Sequence, residues 1–84
     1  MTEQQKQRYT SIKWTRNEIR QLYDYIRDMY SGNPEITAPR RIPGPAIDII
    51  IAAWREEIKT AEDENAAYYA IERVIENYIE NYSI

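Results

Sequence analysis

Two sets of charged side chains, each set beside tyrosine, carry the chemistry open to this chain. The first is basic. Arg16, Arg20 and Arg27 share one side of a helical wheel, bordered by Tyr23 and Tyr30, and Arg40 and Arg41 follow in the next segment. A guanidinium grips phosphate or carboxylate through two parallel hydrogen bonds, and a tyrosine face stacks on a planar base. This set predicts a surface for a small, nucleotide-like anion. The second set is acidic. Glu72, Glu76 and Glu80 recur at four-residue spacing, with Tyr69 in the middle of the same face. Like charges so placed repel by roughly 0.2–0.5 kcal/mol per pair, so the row is either a solvated face or an answer to a basic partner. Aromatic side chains are enriched at the centres of protein interfaces. Tyr69 with Glu72, Glu76 and Glu80 is therefore the expected protein-contact face.

Charge is segregated along the chain as well. Residues 1–45 carry eight basic and five acidic side chains, and residues 46–84 carry three basic and nine acidic. One reading has the first helix pairing electrostatically with the last, within a bundle or across a dimer. The other has two docking surfaces of opposite sign. The formal charge of −3 counts against duplex DNA, whose binding by phosphate neutralisation calls for a basic domain.

Catalysis finds little support. The absence of Cys and His removes thiolate metal sites, disulfides, histidine bases and the usual activated nucleophiles. Ser11, Ser31 and Ser83 have no partner base, and two glycines cannot build a phosphate-binding loop. All-α nucleotide pyrophosphohydrolases of the MazG type chelate magnesium through Glu-x-x-Glu and Glu-x-x-Asp pairs. No acidic residue of the second or third helix has such a partner three positions on. The chain is expected to be non-enzymatic, with no catalytic residue, metal or cofactor.

The elements that must position these surfaces are marked by punctuation. Gly32, Pro34, Pro39, Pro43, Gly44 and Pro45 hold every glycine and proline of the chain within fourteen residues. Proline lacks an amide donor and disfavours helix in the residue before it, so residues 32–45 read as a loop. Upstream, Thr15-Arg16-Asn17-Glu18 fits a capping box, with Trp14 and Ile19 placed as a hydrophobic staple. Gly32 is placed to end that helix at positive φ, which predicts a first helix over residues 15–31. Its buried stripe reads Ile19, Leu22, Ile26 and Met29, with Tyr23 and Tyr30 on one shoulder and Tyr25 on the other. The Trp14-Thr15-x-x-Glu18 opening is similar to the first helix of Myb/SANT domains. The match stops there: Trp54 comes too late for their tryptophan repeat, and segment 32–45 is too long for their linkers.

A second helix is expected over residues 45–60, opened by Pro45. Ile47, Ile50, Ile51, Trp54 and Ile58 share one face, which Ala46, Ile49 and Ala53 widen beyond what two neighbours would cover. A third, over residues 63–82, carries Ala67, Tyr68, Ile71, Val74, Ile75, Tyr78, Ile79 and Tyr82 on one stripe. Between them Thr60 or Asp63 could cap a new helix, giving a short turn; the alternative is one unbroken helix from 45 to 82. The turn is the preferred reading.

The expectation is an all-α, small three-helix bundle with a proline-rich loop between helices 1 and 2, formed by residues 12–84 behind a polar tail of residues 1–11. Ile36 and Ile42 would anchor the loop. The wide apolar arc of helix 2 predicts a homodimer or a tight protein complex. No apolar run approaches the ~18 residues of a membrane span, so a cytoplasmic protein with no membrane partner is expected. The leading functional reading is a small accessory or inhibitor-type protein, of the kind phages and mobile elements encode, that binds a macromolecular partner stoichiometrically. The alternatives are a module holding a nucleotide-like anion and a nucleic-acid-binding regulator.

Overall fold

In the computed structural model, which describes residues 13–82, the capping box at Thr15 forms as its spacing predicts. The Thr15 hydroxyl accepts from the Glu18 amide at 3.1 Å, and the Thr15 amide donates to the Glu18 carboxylate at 3.2 Å. Helix α1 follows over Arg16–Asp28. It ends earlier than expected. The amides of Met29, Tyr30 and Ser31 each reach back three residues rather than four, and the chain leaves through successive tight turns. Gly32 is therefore not needed as a left-handed cap, and no glycine has positive φ.

Helix α2 spans Gly44–Glu57 and tightens into a 3-10 turn over Ile58–Thr60. The chain then breaks, and Asp63 caps α3, Glu64–Glu80, by accepting from the Ala66 amide at 2.7 Å. The short turn is the observed arrangement, and the unbroken helix is excluded. Across that turn the buried Trp54 indole donates to the Ala67 carbonyl at 2.8 Å, locking the end of α2 to the start of α3.

The three helices form a bundle in which α3 packs against both others. Helices α1 and α3 run in the same direction: Trp14 lies against Tyr68 near their first turns, and Tyr30 bonds Glu80 near their last. The core is dominated by isoleucine, with Ile19, Ile47, Ile50, Ile71, Ile75 and Ile79 essentially inaccessible. β-branched side chains of this kind hold one preferred rotamer in a helix, so such a core is stiff. No helix among the described residues is long and apolar enough to cross a membrane.

The proline-rich connection runs back along α1. The Ala38 carbonyl accepts from Arg27 Nε at 3.0 Å, the Pro39 carbonyl from the Tyr23 hydroxyl, and the Gly44 carbonyl from Arg16 Nη2 at 3.1 Å. As the loop number rises the helix number falls, so the segment lies antiparallel to α1. Its far side is tied to the end of α3, where the Thr37 amide and hydroxyl both donate to the Tyr82 carbonyl. Ala38 and Ile42 are buried, whereas Ile36 is only half-buried.

This loop decides which face of α1 is core. Because it covers the Tyr23 and Arg27 side, Tyr23 is fully buried with Ile19 and Ile26. The opposite shoulder is left open, and Met29, expected in the stripe, is 63% exposed. On α2, Ile47, Ile50 and Trp54 are enclosed within the single chain, but Ile49 is 62% exposed. Ile49, on the widened side of the arc, is thus left uncovered by the other two helices. Tyr68 and Tyr82, placed on the α3 stripe by periodicity, are also exposed, because both sit at the ends of the helix beyond the reach of full packing. The polar tail of residues 1–11 lies outside the described residues.

Candidate functional site

The basic set divides in two. Arg16 is occupied: its Nη1 meets the Asp48 carboxylate at 2.6 Å while Nη2 bonds Gly44, so it fastens α1 to the start of α2. Gly44 is fitted to this contact, since a Cβ there would lie 3.2 Å from the same Nη2. The remaining arginines gather on the other side. Arg20, Asp24, Arg41 and Ile42 line an open depression of about 390 Å³ between α1 and the loop. An adjoining one of about 300 Å³ is lined by Asp24, Arg27, Asp28, Ser31, Arg40 and Arg41. Helix spacing of three and four residues puts Arg20, Asp24, Arg27, Asp28 and Ser31 on one stripe. The antiparallel return of the loop brings Arg40 and Arg41 to it.

The tyrosines expected beside those arginines face elsewhere. Tyr23 points inward: its hydroxyl bonds Pro39, its ring meets Tyr78 edge-on at 6.0 Å, and burial raises its pKa against the opposing pull of Arg27. Tyr30 donates to Glu80 at 3.0 Å, and its pKa is raised first by desolvation and then by that bond. Tyr23 offers no free face for a base, and neither tyrosine lines the arginine hollows. Within the chain, the charge pairing of the first helix with the last is also absent among the described residues. The ion pairs there are Arg16–Asp48 and Lys59–Glu56, and α1 meets α3 through the neutral hydroxyl of Tyr30 instead.

The acidic set is likewise split. Tyr69 is 58% exposed, as its place opposite the stripe implies, and Glu72 is exposed beside it. Glu76 is half-buried, and Glu80 is engaged by Tyr30. The open part of the face therefore lies at the beginning of α3. There Tyr68, 48% exposed, meets Tyr69 edge-on at 5.3 Å and packs on Trp14 at 5.1 Å, and Trp14 in turn meets Trp54 edge-on at 6.2 Å. Trp14 so closes the end of the bundle. Sequence periodicity missed Tyr68 by assigning it to the core; its position in the first turns of a helix that outreaches α1 was the available signal. Among the described residues no three acidic side chains converge into a metal-binding group.

At the other end of α3, Tyr78 and Tyr82 stack edge-on at 5.3 Å with their hydroxyls 3.1 Å apart. Burial, and then the bond to Tyr82, push the Tyr78 pKa well up. Comparison with protein-family models, curated proteins and solved structures gives no match for this chain.

Proposed function

We propose that this chain is a non-enzymatic, stoichiometric binding protein that docks on a basic surface of another protein through the start of α3. The observation that carries the reading is the exposed aromatic ledge of Tyr68 and Tyr69, seated on Trp14 and flanked by carboxylates. Glu64 and Glu72 stand four residues either side of Tyr68, and Glu72 lies three beyond Tyr69. Tyrosine faces attract lysine and arginine by cation–π interaction, and neighbouring carboxylates add to the same preference. Rigid aromatics set on a closed core lose little entropy on binding, which suits a contact centre. An accessory or inhibitory role follows from the same logic: a chain of this size acts by occupying a surface.

The test is affinity capture followed by native mass spectrometry, with the wild type and with Tyr69→Ala/Glu72→Lys. The reading expects one protein held at fixed stoichiometry by the wild type and released by the double variant, with helix content unchanged. Retention of every partner by the variant would remove this face from consideration. The same spectra address self-association. A species at twice 10.1 kDa would support a homodimer, for which Ile49 of α2 and Tyr25 and Met29 of α1 are exposed apolar candidates.

A further inference from the structure

The arginine-lined depression is separate from the aromatic ledge and is not accounted for by folding. Four guanidiniums, those of Arg20, Arg27, Arg40 and Arg41, line two adjoining hollows that also hold Asp24 and Asp28 and share Asp24 and Arg41. The region is locally positive in a chain whose formal charge is −3. Aspartates are at hand in the same hollows, yet none of these arginines forms an ion pair with Asp24 or Asp28 among the described residues. Both kinds of group remain free for a ligand.

One of the arginines is also held in place. Arg27 spends its Nε on the Ala38 carbonyl at 3.0 Å, which fixes the guanidinium plane and leaves its terminal nitrogens as donors. The backbone that carries the exposed Arg40 and Arg41 is held between Pro39, pinned by Tyr23, and the buried Ile42. Donors set in advance lose less entropy when a ligand arrives. A planar guanidinium matches the oxygens of a phosphoryl group two at a time, whereas the aspartates can only accept. The complementary ligand therefore carries both a phosphoryl group and hydroxyl donors. Hollows of about 300 and 390 Å³ are at the small-molecule end of binding-site sizes. No aromatic side chain lines either hollow, so nothing there stacks on a base.

We propose that this depression binds a small hydroxylated phosphomonoester, with Arg20, Arg27, Arg40 and Arg41 on the phosphoryl group and Asp24 and Asp28 accepting from its hydroxyls. Calorimetric titration with ribose 5-phosphate, adenosine 5′-monophosphate, inorganic phosphate and a single-stranded oligonucleotide tests it. Ribose 5-phosphate and the nucleotide should bind alike, since the base is not read, and both more tightly than inorganic phosphate. Arg40→Ala/Arg41→Ala should weaken them by about tenfold or more, as loss of charge-assisted hydrogen bonds does, while circular dichroism stays unchanged. Asp24→Ala/Asp28→Ala, which removes the acceptors, should abolish the preference for ribose 5-phosphate over phosphate and strengthen phosphate itself. The proposal is overturned if no phosphomonoester binds at millimolar concentration, or if the double arginine variant binds as well as the wild type. Tighter binding of the oligonucleotide with a steep loss in salt would overturn it in favour of a nucleic-acid site.

Discussion

The two indoles of this molecule differ in one bond. Trp54 donates to Ala67 inside the core, whereas the Trp14 N–H is buried with no acceptor among the described residues. A satisfied buried donor contributes about 1 kcal/mol net, and an unsatisfied one costs about 1–3 kcal/mol. Trp54→Phe loses the bond while Trp14→Phe removes the unsatisfied donor, so the first should destabilise the fold by about 2–4 kcal/mol more than the second in urea denaturation; equal losses would show that the Ala67 bond adds nothing. Tyr23 and Tyr78 carry a second residue-level consequence. Burial raises both hydroxyls above the ordinary value of 10.0. Above about pH 10 the unfolded chain releases these protons while the folded chain keeps them, so the folded state binds more protons and stability falls as pH rises. Below that pH the two groups contribute no slope. Urea midpoints measured from pH 8 upward should decline past pH 10, and Tyr23→Phe/Tyr78→Phe should flatten the decline.

At the scale of elements, both side-chain N-caps act within a few residues of themselves. Thr15→Ala or Asp63→Ala should each cost about 1 kcal/mol, a fall of about 4–8 °C in the melting temperature of a domain this size. Asp63→Asn, which keeps the acceptor, should change little. This locality explains what the sequence made legible. The capping box, the proline-marked loop, the Asp63 start of α3 and the stripes of α2 and α3 are all written over one or two turns of chain. The return of the loop along α1 is not. It depends on carbonyls of residues 38, 39 and 44 meeting Arg27, Tyr23 and Arg16, contacts that no wheel or spacing contains. Because the loop chooses the covered side of α1, the wheel put Met29 inside and Tyr23 on a shoulder. For the same reason the arginine set was only partly legible. Arg20 and Arg27 could be grouped from helix spacing, but the exclusion of Arg16 by Asp48 and the arrival of Arg40 and Arg41 required the fold.

The whole molecule presents two surfaces of different character held apart by one isoleucine core. Along α1 the loop gathers arginines and aspartates into an open depression, and at the start of α3 the tyrosine ledge stands among carboxylates. The charge separation seen along the chain does not collapse into salt bridges between α1 and α3; Arg16–Asp48 and Tyr30–Glu80 join the halves at single points, and the rest stays on the surface. That pattern fits a protein that acts by being bound. The most direct measurement places a photo-crosslinking phenylalanine analogue at Tyr69, and separately at the still more exposed Tyr25 of α1, in the cell that produces the protein. The account predicts a single protein adduct from position 69 and none of that mass from position 25. Identical adduct patterns from the two positions, or no adduct at position 69, would contradict it.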